Sequence, residues 1–210
     1  MSRNPRDRTR DNERRQNSLE TWVPKTRLGK MIQEGKITTI EEVFLTGIKI
    51  SESQIVDSLI PDLQEEVINV NLVQKQTDAG EKSRFKAIVA VGNRDGYIGL
   101  GQGKASQVRN AIEKAAVNAR LNIVPVKRGC GSWECGCGKP HSVPFQVEGK
   151  CGGVRVEIVP GPRGLGLVSS EVAKVILGLA GVKDLWMRSF GSTRTVPSYA
   201  FAIFDGLQKT

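Results

Sequence analysis

Three cysteines and the chain's only histidine fall close together as Cys130-x4-Cys135-x-Cys137-x3-His141. Three thiolates and an imidazole make a full tetrahedral set for zinc, and gaps of a few residues let one loop wrap the ion. The glycines among them, Gly129, Gly131, Gly136 and Gly138, allow the tight backbone such wrapping needs. The Cys-x-Cys pair is closer than the usual Cys-x2-Cys. Free thiols, a redox pair or an iron–sulfur cluster are other readings of the same residues, and Cys151 is the substitute ligand if His141 turns away. A zinc ion here is structural. A catalytic zinc keeps an open position with a base beside it, whereas these four ligands fill the sphere and use up the only histidine. The His-x-Glu and Pro-Cys-x-x-Cys pattern of zinc deaminases is missing.

The glycine-rich stretches offer less. A phosphate-binding P-loop needs Gly-x4-Gly-Lys-Ser/Thr, but around Gly103-Lys104 the first position is Ile98 and the last is Ala105. Nucleotide hydrolysis has no machinery in this chain. A glycine-rich turn over 99–103, just before a helix, either holds an RNA phosphate on its free N–H groups or is plain turn geometry.

Charge points to polyanions. The 210 residues carry 31 Lys and Arg against 22 Asp and Glu, a net +9, which favours nucleic acid first and an acidic membrane surface second. Basic residues fall in loops and at element ends: Lys75, Lys82, Arg84, Arg94, Lys104, Lys127, Arg128, Lys139, Arg163 and Arg194. Together they suit multivalent phosphate contact. Tyr97 and Phe85 are candidates to stack on a base, Phe85 less so because its position suits a core. No run of apolar residues is long enough to span a membrane, and the start of the chain lacks the apolar stretch of a secretory signal. The cysteine cluster then reads as metal ligands in a cytoplasmic protein, sooner than as disulfides.

The elements that position these residues divide the chain into four parts. Residues 1–50 are a basic arm and adapter. Residues 1–20, with six arginines and almost no apolar side chain, should order only on a partner. Residues 51–123 read as helix, three antiparallel strands, helix. Ser51 or Ser53 caps a helix running to Leu59 and ended by Pro61, strands lie near 66–76, 85–91 and 97–102, and a helix covers 105–121. A polar loop is expected at 77–83, and the turn Asn93-Arg94-Asp95-Gly96 joins the second and third strands. Residues 124–142 are an extended link and the cysteine knot. Residues 143–210 form a second α+β domain with strands near 143–149, 153–160 and 182–190 and helices near 170–180 and 196–208, the first closed by Gly181. Helix, three strands, helix is the layout of a double-stranded-RNA-binding domain, a module that reads shape.

The run Gly80-x3-Arg84-Phe85-x-Ala87-x-Val89-x-Val91-Gly92-Asn93-x2-Gly96-Tyr97-Ile98-Gly99-Leu100-Gly101-x-Gly103-Lys104-Ala105 resembles the signature of the fifth protein of the small ribosomal subunit, the universal S-five family. Pro160-Gly161-Pro162-Arg163-Gly164-Leu165-Gly166, Leu179-Ala180-Gly181 and Gly191-Ser192-Thr193 fall where that family has its glycine loop, helix end and final turn. The likeness covers about residues 50–208. The N-terminal extension and Pro140-His141-Ser142-Val143-Pro144 look like the archaeal and eukaryotic branch, and the cysteine knot points to the archaeal side.

The resemblance implies a double-stranded-RNA-binding-like first domain and a second α+β domain with a left-handed βαβ crossover, against the usual handedness. It implies a non-enzymatic place in the cytoplasmic ribosome, on small-subunit ribosomal RNA. The neighbours it implies are the third, fourth and eighth small-subunit proteins and the channel through which messenger RNA enters, with roles in assembly and decoding accuracy. Residues 78–84 match the family's RNA-contacting loop. Gly164 and Gly166, with the helix that follows, match the surface facing the fourth protein.

Overall fold

The computed structural model describes residues 22–60 and 62–210, so the basic arm expected at 1–20 and the helix stop expected at Pro61 lie outside the described residues. The chain groups into two compact units divided between Leu63 and Gln64.

Among the described residues, the first unit holds three short helices, α1 (Arg27–Gln33), α2 (Ile40–Thr46) and α3 (Ser53–Leu59). Thr39 and Glu42 close a reciprocal capping box on α2, and Gly47 ends it in the left-handed conformation. Neither Ser51 nor Ser53 caps α3. Its N-cap is Glu52, whose carboxylate instead accepts from the indole N–H of Trp22 and from the amides of Lys25 and Thr26. That three-point anchor ties α3 to the adapter, which is why the division comes at Leu63 and not at the boundary expected after residue 50.

The second unit begins with an antiparallel sheet in the order β1-β2-β3-β4, formed by β1 (Gln64–Thr77), β2 (Gly80–Gly92), β3 (Tyr97–Ala105) and β4 (Ile123–Pro125). Helix α4 (Val108–Leu121) packs across one face. Cross-strand partners share a face and alternate with their neighbours. Ala87, Val89 and Val91 therefore face α4 together with Gly103, Gly101 and Gly99, while Ile88, Ala90, Leu100 and Ile98 face the other way. The three glycines meet Ala111, Ala115 and Ala119, spaced four apart on one stripe of the helix. A Cβ on Gly101 would lie 2.2 Å from the Ala119 nitrogen and 2.3 Å from the Ala115 oxygen. The glycines at 99–103 thus lie inside a strand, not in a phosphate-holding turn, and their function is to let a helix backbone approach a sheet.

The expected loop at 77–83 is also a correction. β1 and β2 stay paired to Thr77↔Gly80, leaving a two-residue turn at Asp78 and Ala79, because polar residues with exposed faces form a ribbon as readily as a loop. β3 pairs with β2 only from Ala105↔Phe85 inward, so residues beyond Leu72 and Phe85 project as a two-stranded ribbon. A bulge between Val67 and Asn69 leaves Ile68 without a direct partner in the ladder, and Ile68 is half-buried against the core.

The second half carries β5 (Val147–Cys151), β6 (Val154–Pro160), β7 (Leu167–Val168) and β8 (Leu185–Gly191) in the order β5-β6-β8-β7. Residues 143–146, expected in the first of these strands, precede it. β7 and β8 are parallel neighbours joined through α5 (Glu171–Leu179), a βαβ unit. Gly181, with φ +82°, follows α5 as expected. Helix α6 (Val196–Gln208) lies on β5 and β6, where Gly149 passes so close that a Cβ would sit 1.9 Å from the Ala202 oxygen.

The two halves share one core. Ile88, Ala90, Ile98 and Leu100 from the first sheet join Val156, Ile158, Ile176, Leu177, Leu185 and Ile203. Each of the Val, Leu and Ile side chains contributes about 1.5–3 kcal/mol on burial. The 93–96 turn also docks on the end of α5: the amides of Arg94 and Gly96 donate to the carbonyls of Leu179 and Ala180, satisfying helix-end acceptors.

Candidate metal centre and nucleic-acid interface

The link between the halves is fastened before it is decorated. Gly129 and Ser142 form an isolated antiparallel bridge, which brings the two ends of the 130–141 segment together. Gly131 passes so near Pro144 that a Cβ would lie 2.1 Å from its carbonyl oxygen, so this approach needs glycine. Inside the closed loop, one ligand atom from each of Cys130, Cys135, Cys137 and His141 lies within 4.8 Å of all the others. Sγ of Cys130 is 3.6 Å from Sγ of Cys137, and Sγ of Cys135 is 3.8 Å from Nε2 of His141. A tetrahedron with zinc–sulfur bonds of about 2.3 Å has edges of about 3.8 Å. The donor set and its spacing fit a zinc ion. Cys151, the reserve ligand, lies at the end of β5 and outside the group.

Hydrogen bonds favour the ligating thiolate at Cys130 and Cys135, while the shifts at Cys137 and His141 run against their ligating forms. The Arg163 backbone N–H, followed by the Cys137 N–H, pulls the Cys135 thiol down to about 6, and the hydrogen bond with His141 lowers Cys130. At Cys137 the Lys139 amide acts downward, but burial and the neighbouring thiols outweigh it and raise the group. Burial opposes the charged form of His141, yet its hydrogen bonds with Cys130, Cys135 and Asp184 raise its pKa. Thiolates are the metal-binding form of cysteine.

Asp184 is the residue the sequence does not reveal. It is 5% exposed, and its Oδ2 accepts from Nδ1 of His141 at 2.9 Å, which turns Nε2 toward the sulfurs. It stands 43 positions from that histidine. No local spacing marks it.

The ten basic candidates separate. Lys75 is directly opposite Lys82, and Val73 opposite Arg84, so three cations share one face of the ribbon. Lys86 lies on the same face and is directly opposite Lys104. Lys86 is absent from the sequence-based set, although the period-two run Lys82, Arg84, Lys86 signals it. These three are about 6–7 Å apart along the strand. The face is the one that turns away from α4, so it continues outward from the covered Ile88, Ala90 and Leu100. Phe85 points to the opposite face and is half-buried, so it does not accompany the cations.

The remaining candidates lie elsewhere. Arg94 is exposed at the docked turn with φ +58°. Arg128 pairs with Asp95, and Lys127 beside it is exposed. Lys139 and Arg163 are exposed near the cysteine group, and Arg194 is exposed in the turn before α6. Gly164 and Gly166 take φ of +90° and +75° in the 161–166 loop.

Comparison with known proteins follows the same division. The family model described as "Ribosomal protein S5, N-terminal domain" matches residues 63–127, and "Ribosomal protein S5, C-terminal domain" matches 149–210. The chain is 57% identical over 192 residues to "Small ribosomal subunit protein uS5" of Pyrobaculum calidifontis, covering 91% of this chain and 95% of that protein. The proteins of the same name in Thermofilum pendens and Ignicoccus hospitalis are each 56% identical, over 90% and 92% of this chain and 94% and 92% of theirs.

Proposed function

Because this chain belongs to the ribosomal protein S5 family, a structural and non-enzymatic part of the small ribosomal subunit, we propose how its surfaces divide that work. The protein binds small-subunit ribosomal RNA, and the ribbon face bearing Lys75, Lys82, Arg84, Lys86 and Lys104 is its main phosphate contact. One observation carries this assignment: two pairs of like charges, Lys75↔Lys82 and Lys86↔Lys104, stand directly across strands on one face. Like charges so placed destabilise a sheet, and a polyanion relieves them. The 161–166 loop, with Gly164 exposed, faces the fourth small-subunit protein. The third and eighth proteins and the messenger RNA channel are the further neighbours. Work within the ribosome puts the chain in the cytoplasm, and no helix among the described residues is long and apolar enough to cross a membrane.

Cys130, Cys135, Cys137 and His141 hold a structural zinc ion, which fixes the link between the halves. The four ligands leave no open position for substrate. The supporting observation is the match of ligand separations to a tetrahedral edge. Cys137→Ser is expected to reduce zinc from about one equivalent per chain to a small fraction, as read by metal analysis after dialysis. Chelation is expected to speed amide exchange in residues 128–142 while β2 and α6 keep their protection, since the apolar core lies outside the knot. Exchange that accelerates everywhere at once would overturn this local role.

Sedimentation of a tagged copy from lysate at moderate and high salt tests the assembly as a whole. Stoichiometric migration with the small subunit at both salts is expected. Protein confined to light fractions would instead describe a free RNA-binding regulator.

A further inference from the structure

Asp184 has more partners than a metal ligand's neighbour needs. Its Oδ2 takes the Nδ1–H of His141, while its Oδ1 accepts the backbone amides of Gly164 at 3.1 Å and Gly166 at 2.8 Å. The backbone closes the same circuit, since the amides of Lys183 and Asp184 donate to the His141 carbonyl at 2.9 and 3.1 Å. The next residue, Ser142, is fully buried and accepts the Gly161 amide on its Oγ at 3.3 Å. The Arg163 amide points at Cys135. The 161–166 loop is therefore held at Gly161, Arg163, Gly164 and Gly166 by the knot or by residues touching it. Both Gly164 and Gly166 have positive φ, a conformation glycine leaves easily when nothing holds it.

We infer that Asp184 is a positioning residue coupling the two sites: it orients His141 for the metal and fixes the 161–166 loop, so that loading the metal orders that loop. The inference rests on the metal reading above and adds its consequence for a distant surface. A carboxylate suits this task because it offers only acceptors, and three donors converge on it. With the metal gone, Cys130, Cys135 and Cys137 no longer hold the ring in place. His141 can then rotate, and Asp184 loses the partner that fixes its rotamer. Coupling of this kind is reciprocal, so a partner that clamps the loop also tightens metal binding.

The test uses the full chain. Zinc affinity is measured by competition with a chromophoric chelator for the wild type and Asp184→Asn. Amide exchange at Gly164 and Gly166 is followed in the wild type before and after chelation. Asparagine keeps an acceptor for the glycine amides but presents an N–H group in place of the second carboxylate oxygen. Zinc affinity is expected to fall about 10–100-fold, the usual effect of losing an outer-shell partner. In the wild type, chelation is expected to speed exchange at Gly164 and Gly166 about as much as within the knot, with β6 unchanged. Unchanged zinc affinity in the variant would leave Asp184 a brace of the loop alone and overturn the coupling. Wild-type protein that binds zinc, but whose Gly164 and Gly166 exchange ignores it, overturns the coupling and leaves the metal site standing. Wild-type protein that binds no zinc removes the site and the coupling together. The wild-type measurement decides the matter even if the variant does not fold.

Discussion

Gly101→Val is expected to cost at least about 3 kcal/mol, the upper part of the range for overpacked sites, because no side-chain rotamer relieves the clash. The obstructing atoms are backbone, the Ala119 nitrogen and the Ala115 oxygen, so α4 must lift from the sheet or unwind. For a chain of this size that corresponds to a melting temperature lower by roughly 6–12 °C, read by calorimetry or guanidinium unfolding. Gly178→Ala is the matched control. It sits within α5 with nothing near a new Cβ, so it is expected to stabilise by up to about 1 kcal/mol through helix propensity. If both substitutions moved stability by similar small amounts, the close seam between β3 and α4 would be wrong.

Combined replacement of Lys75, Lys82 and Arg84 by glutamine is expected to weaken binding to small-subunit ribosomal RNA with little effect on the fold. All three side chains are exposed on the projecting ribbon, and removing the Lys75↔Lys82 repulsion costs the sheet nothing. Each phosphate contact contributes a little under one unit to the slope of log affinity against log salt, so the slope should fall by about two to three. Arg128→Gln supplies the comparison, since that guanidinium is engaged with Asp95, and it should change the slope much less. An unchanged slope in the triple variant would move the RNA face away from the ribbon.

The parts of this structure legible in the sequence are those set by local pattern. Alternation in 85–91, apolar residues recurring every three or four positions in 108–119 and the Gly181 stop gave β2, α4 and the end of α5. The cluster of Cys130, Cys135, Cys137 and His141 was legible because three thiols and one histidine share a short loop. What escaped depends on partners far apart in the chain. For the glycines at 99, 101 and 103 a phosphate-holding role stayed open beside the strand expected at 97–102, because only their packing against 111–119 reveals what they do. The outer ribbon at 77–83 read as a loop because both its faces are polar, leaving no apolar alternation to mark pairing. Residues 51–123 and 143–210 read as separate domains, yet a single apolar cluster spans both halves. The cause is the second face of the first sheet, whose partners come from residues 154–207.

The bulge at Ile68 makes β1 tolerant of a change in length at one point alone. Pairing runs Val67↔Val89 and then Asn69↔Ile88, so the odd residue is absorbed before the ribbon starts. Were pairing regular through Ile68, Lys75 would turn to the α4 side, away from Lys82 and Arg84. Loss of one residue at the bulge leaves every later pair in phase. Loss of one between 69 and 77 inverts the side chains beyond it or breaks the turn. The strand thus carries its slack where a length change cannot reach the cationic face of the ribbon, and none where it can.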